Sequence, residues 1–407
     1  MIVLDLSRLL SRAGRPTPTG IDRVEIAYAQ HLIANGGAAR FAAVTPTGGL
    51  GLLPDRAARE FVAAVAAGWR GDSRSPQPTQ PASRIARHLR LRLLGSRERA
   101  STRRLREDGG AVYLLVSHHH LENQALLARL RQRGAARFVC LIHDLIPVQF
   151  PEYAKPGQAE NHLRRIRGAA QFADAVIVNS AVTRDALQGE LNRAGRAPPV
   201  LVAPFGTDLP SAPSGGGPPI ARPYFVVVGT IEARKNHLLL LNLWRRLAAE
   251  LGERTPLLVL IGQRGWETEN VVDMLERCPA LSRTVIEHNT LADAEMVQLL
   301  QGASAVLLPS FAEGFGFPVI EALAQGVPVL CSDIPALRET GGDIPEFFDP
   351  LDGPGWRSAI LDYAAPQSPR RAAQLARLNG WRQPRWQDHF ATVERFIAEV
   401  AAAPPVP

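Results

Sequence analysis

Residues 308–328 read LPSFAEGFGFPVIEALAQGVP, in the order strand, glycine turn, helix. An apolar run ends at Pro309, and two glycines, Gly314 and Gly316, follow it. Glycine lets the backbone approach a ligand closely, and proline suits the first turn of a helix because its missing N–H has no helical partner there. We therefore expect a buried strand, a turn and a helix that begins near Pro318.

Outward from this stretch, short apolar runs alternate with longer helical patterns along the chain. Continuous apolar runs are typical of parallel strands that are buried on both faces. Nine runs are candidate strands: Ile2–Leu6, Ala111–Val116, Phe138–Ile142, Ala175–Val178, Val200–Ala203, Phe225–Val228, Leu257–Ile261, Ala305–Leu308 and Val327–Leu330. Strands that alternate with helices predict parallel α/β domains, whose ligands bind at the carboxyl ends of the strands.

The chain has 407 residues, which suggests two domains because one domain takes roughly 100–200 residues. A segment rich in Pro, Gly and Ser, Pro210–Pro223, is the predicted linker. The expected fold class is α/β, with two Rossmann-like domains whose parallel sheets face each other across a cleft. The predicted divisions are 1–209 with a basic insertion at 71–110, 210–223, 224–380, and a C-terminal helix and tail at 381–407 that cross back to the N-terminal domain.

The composition narrows the class of protein. Three scattered cysteines, Cys140, Cys278 and Cys331, predict neither a disulfide framework nor a zinc site. No run reaches about 18 apolar residues, and the N-terminus lacks the pattern of a signal peptide, so a cytoplasmic protein is expected. A net charge of +7 suits an anionic partner: a nucleic acid, a membrane surface or a phosphorylated substrate.

Much of the positive charge lies in the insertion. Residues 84–106 contain nine arginines and a single acid, and Ile85, Leu89 and Leu93 share a helical face. Such a helix can lie at an anionic membrane, which would place the protein at the inner membrane face, or its apolar stripe can pack on the N-terminal domain. No aromatic residues interleave the arginines, so stacking on nucleic-acid bases is not supported.

Two carboxylates stand on either side of the predicted turn–helix junction. Glu313 precedes the helix and Glu321 lies inside it, eight positions further on. Carboxylates accept hydrogen bonds from vicinal hydroxyls, and free backbone N–H groups at a helix start favour anions and hydroxyl oxygens. This arrangement suits a sugar and a ribose held together.

A second motif, GTIEARKNH at 229–237, follows the first predicted strand of the second half. Gly229 begins the turn, and Arg234 and Lys235 lie near the next helix start. Fixed cations stabilise the charge that builds on a diphosphate leaving group, without a metal. Neither GxGxxG nor a P-loop occurs, which disfavours a dinucleotide oxidoreductase and an NTPase.

The first half offers weaker signals. His143 follows a predicted strand at its carboxyl end, and the next residue, Asp144, can cap a turn. Gly20 opens the first long helix, where it could admit a phosphate or an acceptor, or simply begin the helix. Residues 118–120 are all histidine, but three consecutive side chains cannot face one metal ion from a strand or helix.

With these motifs in view, the chain resembles the retaining glycosyltransferases of family 4, which have the two-domain GT-B architecture. The resemblance implies that Glu313 holds hydroxyls of the donor sugar, helped by backbone N–H groups around Phe315–Phe317. It implies that Glu321 binds the ribose, and that Arg234 and Lys235 clamp the diphosphate beside Gly229.

The resemblance also bears on the first half and on the substrates. His143 is expected at the donor sugar near the acceptor. No metal or other cofactor is expected, and the donor is a GDP-, dTDP- or UDP-sugar. The form of the 229–237 motif is similar to bacterial mannosyl- and rhamnosyltransferases of polysaccharide assembly, which implies a glycan or lipid-linked acceptor. The sequence departs from the family at Thr230, where many members have arginine, and at 16–23, where a glycine-rich loop is usual.

Three hypotheses follow. The first is a retaining hexosyltransferase of cell-surface glycan synthesis. The second is a non-catalytic relative that binds a sugar nucleotide or carbohydrate, and it is disfavoured because both glutamates and both cations are present. The third, a nucleic-acid-binding protein, is disfavoured because the charge is concentrated in the insertion and no nucleic-acid motif occurs.

Overall fold

The computed structural model describes residues 1–36, 39–70, 80–96, 98–107, 111–132, 136–209 and 220–403. The chain divides into two compact units. The first consists of Met1–Gln149, Pro156–Gly206 and Arg385–Pro407, and the second of Phe150–Lys155 and Thr207–Pro384. In these described ranges, no helix is both long and apolar enough to cross a membrane.

The first unit contains a seven-stranded sheet of order β3-β2-β1-β4-β5-β6-β7. Its strands are β1 (Ile2–Asp5), β2 (Ala39–Val44), β3 (Leu50–Leu52), β4 (Ala111–Leu115), β5 (Ala136–Ile142), β6 (Ala175–Val178) and β7 (Val200–Val202). All pairings are parallel except that of β3 with β2. The five strands predicted for this half are present. The sequence analysis missed β2 and β3, because β3 has only three residues and both mix small or polar residues with apolar ones.

Ten helices belong to the described part of this unit. They are α1 (Ser7–Arg12), α2 (Gly20–Ala34), α3 (Asp55–Arg70), α4 (Gln80–Leu94), α5 (Glu98–Glu107), α6 (Gln124–Gln132), α7 (Ile146–Gln149), α8 (Gln158–Phe172), α9 (Ala181–Arg193) and α17 (Trp386–Ala402). The number of α17 follows the chain order, after α10–α16 of the second unit. The core lies between helices and sheet, where strand residues such as Cys140 and Val178 pack against Ile166 and Leu187.

The insertion folds as α4 and α5 on the first unit. The buried stripe of α4 consists of Ala82, Ala86, Leu89 and Leu93, so two of the three apolar residues considered for membrane contact are covered by the protein. These residues share one helical face because they are three or four positions apart. Since that face is buried in the protein, it does not face a membrane. The opposite face of α4 carries exposed residues, among them Leu91 and Leu94.

The second unit contains a six-stranded parallel sheet of order β10-β9-β8-β11-β12-β13. Its strands are β8 (Tyr224–Val228), β9 (Leu257–Ile261), β10 (Val285–His288), β11 (Ala305–Leu308), β12 (Val329–Ser332) and β13 (Glu346–Phe348). The four predicted strands are present. The two that were missed, β10 and β13, form the edges of the sheet, where half-buried residues replace a continuous apolar run.

Seven helices and three 3₁₀ turns complete the described second unit around its sheet. The helices are α10 (His237–Leu251), α11 (Glu269–Arg277), α12 (Asp293–Gln301), α13 (Phe317–Ala324), α14 (Pro335–Gly341), α15 (Gly353–Ala364) and α16 (Pro369–Leu378). The 3₁₀ turns are Ala233–Lys235 and Gly252–Arg254, and a third, Pro151–Tyr153, comes from the short segment Phe150–Lys155.

Alternate residues of the central strands enter two separate cores. Phe225 and Val227 of β8 pack with Trp244 of α10 on one face, while Tyr224 and Val226 pack in the core on the other. This burial on both faces explains the continuous apolar runs. Residues 210–219 of the predicted linker lie outside the described residues.

Candidate active site

The motif at 229–237 forms a tight turn after β8. Gly229 has φ 138°, a conformation that L side chains rarely adopt, and a Cβ there would lie 3.6 Å from Lys235 Cε. A Cβ on Gly262, after β9, would lie 2.0 Å from the Gly229 carbonyl oxygen. Glycine is therefore favoured at Gly229 by its φ and required at Gly262 by the close approach of the Gly229 backbone.

Glu313 brings the two motifs together. Its Oε1 accepts hydrogen bonds from Lys235 Nζ at 2.5 Å and from Ser310 Oγ at 2.7 Å. Its Oε2 accepts from Arg234 Nη1 at 2.8 Å. Arg234 Nη1 also donates to the Ala312 carbonyl oxygen at 2.8 Å. The predicted hydroxyl-binding carboxylate and both predicted phosphate-binding cations thus form one cluster.

The Glu313 carboxyl is held as an anion. Burial alone raises its pKa, but the charges of Arg234 and Lys235 and the hydrogen bonds from Lys235 and Ser310 outweigh burial and lower the pKa to about 2. An anion of this kind cannot donate a proton near neutral pH. It can accept hydrogen bonds from hydroxyl groups and fix the two cations beside them.

Glu232 is a further member of the cluster that the sequence analysis did not single out. Its Oε1 lies 2.6 Å from Arg234 Nη2, and its side chain is 7% exposed. Arg234 is therefore gripped by two carboxylates, and the four charges of Glu232, Arg234, Lys235 and Glu313 sum to zero. The sequence signal that could have identified Glu232 is its position two residues before Arg234.

The turn at 314–317 begins α13. Gly316 has φ 102°, and a Cβ there would lie 2.6 Å from Leu337 Cδ2, so glycine fits and larger residues do not. Phe315 and Phe317 make an edge-to-face pair with centroids 5.3 Å apart. Glu321 lies in the second turn of α13 and is 6% exposed. The expected sugar and ribose contacts of these residues stay predictions.

His143 lies in the first unit, directly after β5. Its Nε2 donates to the Val116 carbonyl oxygen at 2.8 Å, and its backbone N–H donates to His118 Nε2 at 3.0 Å. Burial lowers the pKa of His143 to about 4, although the Val116 hydrogen bond and the charge of Asp144 oppose the shift. The imidazole is neutral at physiological pH. Asp144 accepts from the Ile146 N–H at 3.1 Å and so caps α7.

Gly20 is the first residue of α2. Thr19 and Asp22 form a capping box, in which Asp22 Oδ2 accepts the Thr19 N–H at 2.9 Å. Arg8 Nε donates to Asp22 Oδ1 at 2.8 Å. The capping box thus binds the Thr19 and Asp22 N–H groups, and a phosphate contact of Gly20 stays a prediction.

A buried carboxylate pair in the first unit was not anticipated. Asp5 accepts hydrogen bonds from the backbone N–H and the hydroxyl of Ser7 and from Tyr113 OH, the last at 2.7 Å. Glu25 is fully buried, and its Oε2 has no hydrogen-bond partner among the described residues. Burial, followed by the nearby Asp5 charge, raises the pKa of Glu25 well above its ordinary value. Across the described chain, no group of three or more His, Cys, Asp or Glu side chains is arranged to hold a metal ion.

Comparison with known proteins bears on the second unit. Residues 216–343 include both turns and match the family described as Glycosyl transferases group 1. This part of the chain is similar to the group 1 glycosyl transferases. The match agrees with the family resemblance that the motifs indicate.

The chain also has relatives that are named as mannosyltransferases. The serotype-specific mannosyltransferase WbdA of Escherichia coli is 30% identical over 250 residues, which are 57% of this chain and 30% of the relative. The O-antigen chain mannosyltransferase B of Escherichia coli is 28% identical over 259 residues, which are 62% of this chain and 68% of the relative. The chain thus spans less than a third of the length of WbdA.

Solved structures place the fold. The sucrose-phosphate synthase of Thermosynechococcus elongatus aligns with a TM-score of 0.62 at 18% identity, over 99% of both chains. HepE of Anabaena, solved in complex with UDP, aligns with a TM-score of 0.60 at 14% identity, over 98% of this chain and 100% of that chain. At these identities the likeness shows the fold alone, which is GT-B with two Rossmann-like domains, as predicted.

Proposed function

We propose that the protein is a retaining glycosyltransferase that moves a hexose from a nucleotide-diphosphate sugar to a lipid-linked or polysaccharide acceptor. The observation that carries the proposal is the cluster in which Arg234 and Lys235 meet on Glu313, on turns that follow β8 and β11. In a parallel α/β sheet, this carboxyl edge is where ligands bind.

The cluster suits a diphosphate leaving group. As the bond between the sugar anomeric carbon and the diphosphate oxygen breaks, negative charge grows on that oxygen. Lys235 and Arg234 are 11% and 21% exposed, so each keeps a face open to an anion while Glu313 holds it in place. Preorganised cations of this kind stabilise charge without reorganising during the reaction.

The remaining proposed roles are those that the resemblance to family 4 implies. Glu313, as an anion, accepts hydrogen bonds from sugar hydroxyls, and Glu321 binds the ribose hydroxyls. The acceptor oxygen forms its bond to the anomeric carbon on the face that the leaving group departs from, and its proton passes to a phosphate oxygen of the donor. This retains the configuration and requires no protein base and no metal. His143, which is neutral, serves as a hydrogen-bonding group near the sugar.

Mannose is the favoured sugar and rhamnose the next. Mannosyltransferase relatives and the GTIEARKNH form of the phosphate turn support this choice, which makes a GDP-linked donor the first to test, then dTDP and UDP. We place the reaction in the cytoplasm, at the inner membrane face.

The membrane contact is assigned to the outer stripe of α4. Arg84, Arg87, Leu91 and Leu94 follow spacings of three, four and three and are exposed, with Leu91 at 58% and Leu94 at 66%. Exposed leucines among arginines fit an anionic lipid surface, where each arginine contributes about 1 kcal/mol. The opposite stripe of α4 anchors the helix to the first unit.

A thermal-shift series with GDP, UDP, dTDP and their mannose, rhamnose and glucose derivatives, with and without EDTA, tests the donor proposal. Stabilisation grows as RT ln(1 + [L]/Kd), so one nucleotide should raise the Tm at lower concentrations than the others, and EDTA should not reverse it. Transfer from the winning donor must then be observed. Binding without transfer to any glycan or lipid-linked acceptor would favour a non-catalytic sugar-nucleotide-binding protein.

A further inference from the structure

The second unit contains a short segment whose sequence neighbours belong to the first unit. Phe150–Lys155 is part of the second unit, while the residues before Phe150 and after Lys155 are part of the first. The segment contains the 3₁₀ turn Pro151–Tyr153, closed by hydrogen bonds from the Tyr153 N–H to the Phe150 carbonyl oxygen and from the Ala154 N–H to the Pro151 carbonyl oxygen.

Tyr153 stacks on the turn that carries Glu313. Its ring lies 5.8 Å, centroid to centroid, from the ring of Phe311, and the two planes are 10° apart. Phe150 of the same segment stacks on Tyr153 at 6.1 Å and 26°. Tyr153 is thus engaged by an aromatic neighbour within its own segment as well as by Phe311.

The segment is fixed from a second side by Trp266. The indole N–H of Trp266 donates to the Tyr153 carbonyl oxygen at 3.2 Å, and Lys155 Nζ lies 5.2 Å from the centroid of the Trp266 ring. Trp266 follows Gly265, whose N–H donates to the Ile231 carbonyl oxygen in the phosphate turn at 2.8 Å. The segment therefore contacts the strand-end loops that support both halves of the Glu313 cluster.

Phe311 connects Tyr153 to the Glu313 cluster. Its N–H donates to the Arg234 carbonyl oxygen at 2.8 Å, and it lies between Ser310 and Ala312, which contact Glu313 and Arg234 respectively. A movement of Phe311 would therefore shift the backbone next to Glu313 and the hydrogen bond that links this turn to Arg234.

We infer that Tyr153 is a positioning residue for the proposed donor site: by stacking on Phe311, it fixes the turn that places Glu313 against Arg234 and Lys235. The inference rests on the proposed function for its effect on catalysis. It does not require Tyr153 to touch the donor, because Tyr153 acts through Phe311.

The expected effect follows from what is fixed. An aromatic pair of this kind contributes about 0.5–1.5 kcal/mol beyond burial, so loss of the Tyr153 ring should lower kcat roughly two- to tenfold. Lys235 keeps its place through Gly229 and the 3₁₀ turn, so the affinity for the free nucleoside diphosphate should change by less than about twofold. Tyr153→Phe keeps the ring and should restore kcat.

The first test is kinetic and uses the full chain. Tyr153→Ala, Tyr153→Phe, Phe311→Ala and the double variant Tyr153→Ala/Phe311→Ala are compared for kcat, KM and GDP affinity. If Tyr153 acts through Phe311, the double variant has about the same kcat as Phe311→Ala. Multiplicative losses in the double variant, or a kcat for Tyr153→Ala equal to wild type, would overturn the inference.

The second test does not depend on turnover. Amide hydrogen exchange of residues 309–316 should be faster in Tyr153→Ala than in wild type and unchanged in Tyr153→Phe, because the turn opens locally when its ring partner is lost. Unchanged exchange in Tyr153→Ala overturns the inference even in a protein that transfers no sugar. Altered exchange combined with no transfer in the wild type would instead count against the proposed function alone.

Discussion

At the scale of single residues, Glu313 shows how hydrogen bonds and nearby cations stabilise a buried carboxylate. Three donors from two turns, Lys235, Arg234 and Ser310, bond to it. A buried charge without such partners would be strongly destabilising. The same bonds hold two cations in one orientation, so the cluster prepares a charged site before any ligand binds.

Lys235→Ala should lower kcat/KM roughly 30-fold or more, equivalent to about 2 kcal/mol, because the cation proposed to stabilise the leaving group is lost. Steady-state kinetics with the preferred donor measure this. Lys235→Arg, which keeps the charge, is the matched control and should lose less. If Lys235→Ala and Glu321→Ala both leave the kinetics unchanged, the site assignment is wrong.

Glu25→Gln should become more stable relative to wild type as the pH rises from 5 to 8. The folded-state pKa of Glu25 is raised by burial and by Asp5, so the wild type loses stability as the pH rises above the unfolded value of 4.5. Gln has the shape of the protonated form and no charge to bury. Denaturant unfolding at both pH values measures the difference.

Asp5→Asn is the contrasting variant, since Asp5 accepts hydrogen bonds from Ser7 and Tyr113. It should lower the free energy of unfolding at both pH values, because buried donors lose an acceptor. A Glu25→Gln variant whose stability difference from wild type is independent of pH would show that Glu25 is not held protonated.

At the scale of elements, α4 has one buried stripe and one exposed stripe. Ala82, Ala86, Leu89 and Leu93 are buried, so deleting the helix would uncover the core and confuse any binding measurement. Point substitutions on the exposed stripe are therefore the better probe.

The variant Arg84→Gln/Arg87→Gln/Leu91→Ser/Leu94→Ser should lose binding to vesicles that contain anionic phospholipid, with a weaker response to salt than wild type. The two arginines alone account for about 2 kcal/mol, or roughly 30-fold in affinity. Co-sedimentation at two salt concentrations measures it. Leu351→Ser removes an exposed leucine, 77% exposed, from the second unit and is the control. Equal binding by the quadruple variant would remove α4 from the membrane role.

The C-terminal helix α17 is built into the first unit through its own residues. His389 Nε2 accepts a hydrogen bond from Tyr28 OH at 2.8 Å, and its Nδ1–H donates to the Pro204 carbonyl oxygen at 3.1 Å. Gly206 leaves no room for a side chain, since a Cβ there would lie 2.1 Å from the Trp386 nitrogen. The neutral histidine satisfies both partners at once.

At the scale of the whole molecule, both units contain buried neutral histidines that make the free energy of unfolding sensitive to acid. Burial lowers the pKa of His143, His237 and His389 to about 4, and that of His118 well below its ordinary value. Such groups bind protons more weakly when folded than when unfolded. Their contribution to stability is fully present above pH 6.5 and is lost as the pH falls from 6.5 towards 4.

The free energy of unfolding should therefore fall between pH 7.5 and 5.0, by about 2 kcal/mol for each histidine with a folded pKa near 4. Protonation of Glu25 and Asp5 has the opposite sign and reduces the total. Urea unfolding at the two pH values measures the fall.

His237→Leu provides a control for this acid sensitivity. Neither ring nitrogen of His237 has a hydrogen-bond partner within the described chain, so an apolar residue can replace it without stranding a donor. The variant should show a smaller difference in stability between pH 7.5 and 5.0. An equal difference would mean that His237 does not titrate as its burial requires.

The sequence alone determined the two α/β halves, the central strands and the turns at 229–235 and 309–317. These depend on local patterns: apolar runs that reflect burial on both faces, and glycines at positive φ before a helix. The edge strands β3, β10 and β13 were beyond its reach, because short, half-buried strands carry no continuous apolar run.

Only the tertiary structure decided how distant side chains share charge and contact. Glu232 and Glu313 both bind Arg234, the Asp5 charge raises the pKa of Glu25, and Tyr153 stacks on Phe311. The stripe of α4 that packs and the stripe that is exposed were settled in the same way. The physical reason is that burial, hydrogen-bond partners and pKa values depend on which segments meet in space, and a linear pattern of residue types records only what lies nearby along the chain.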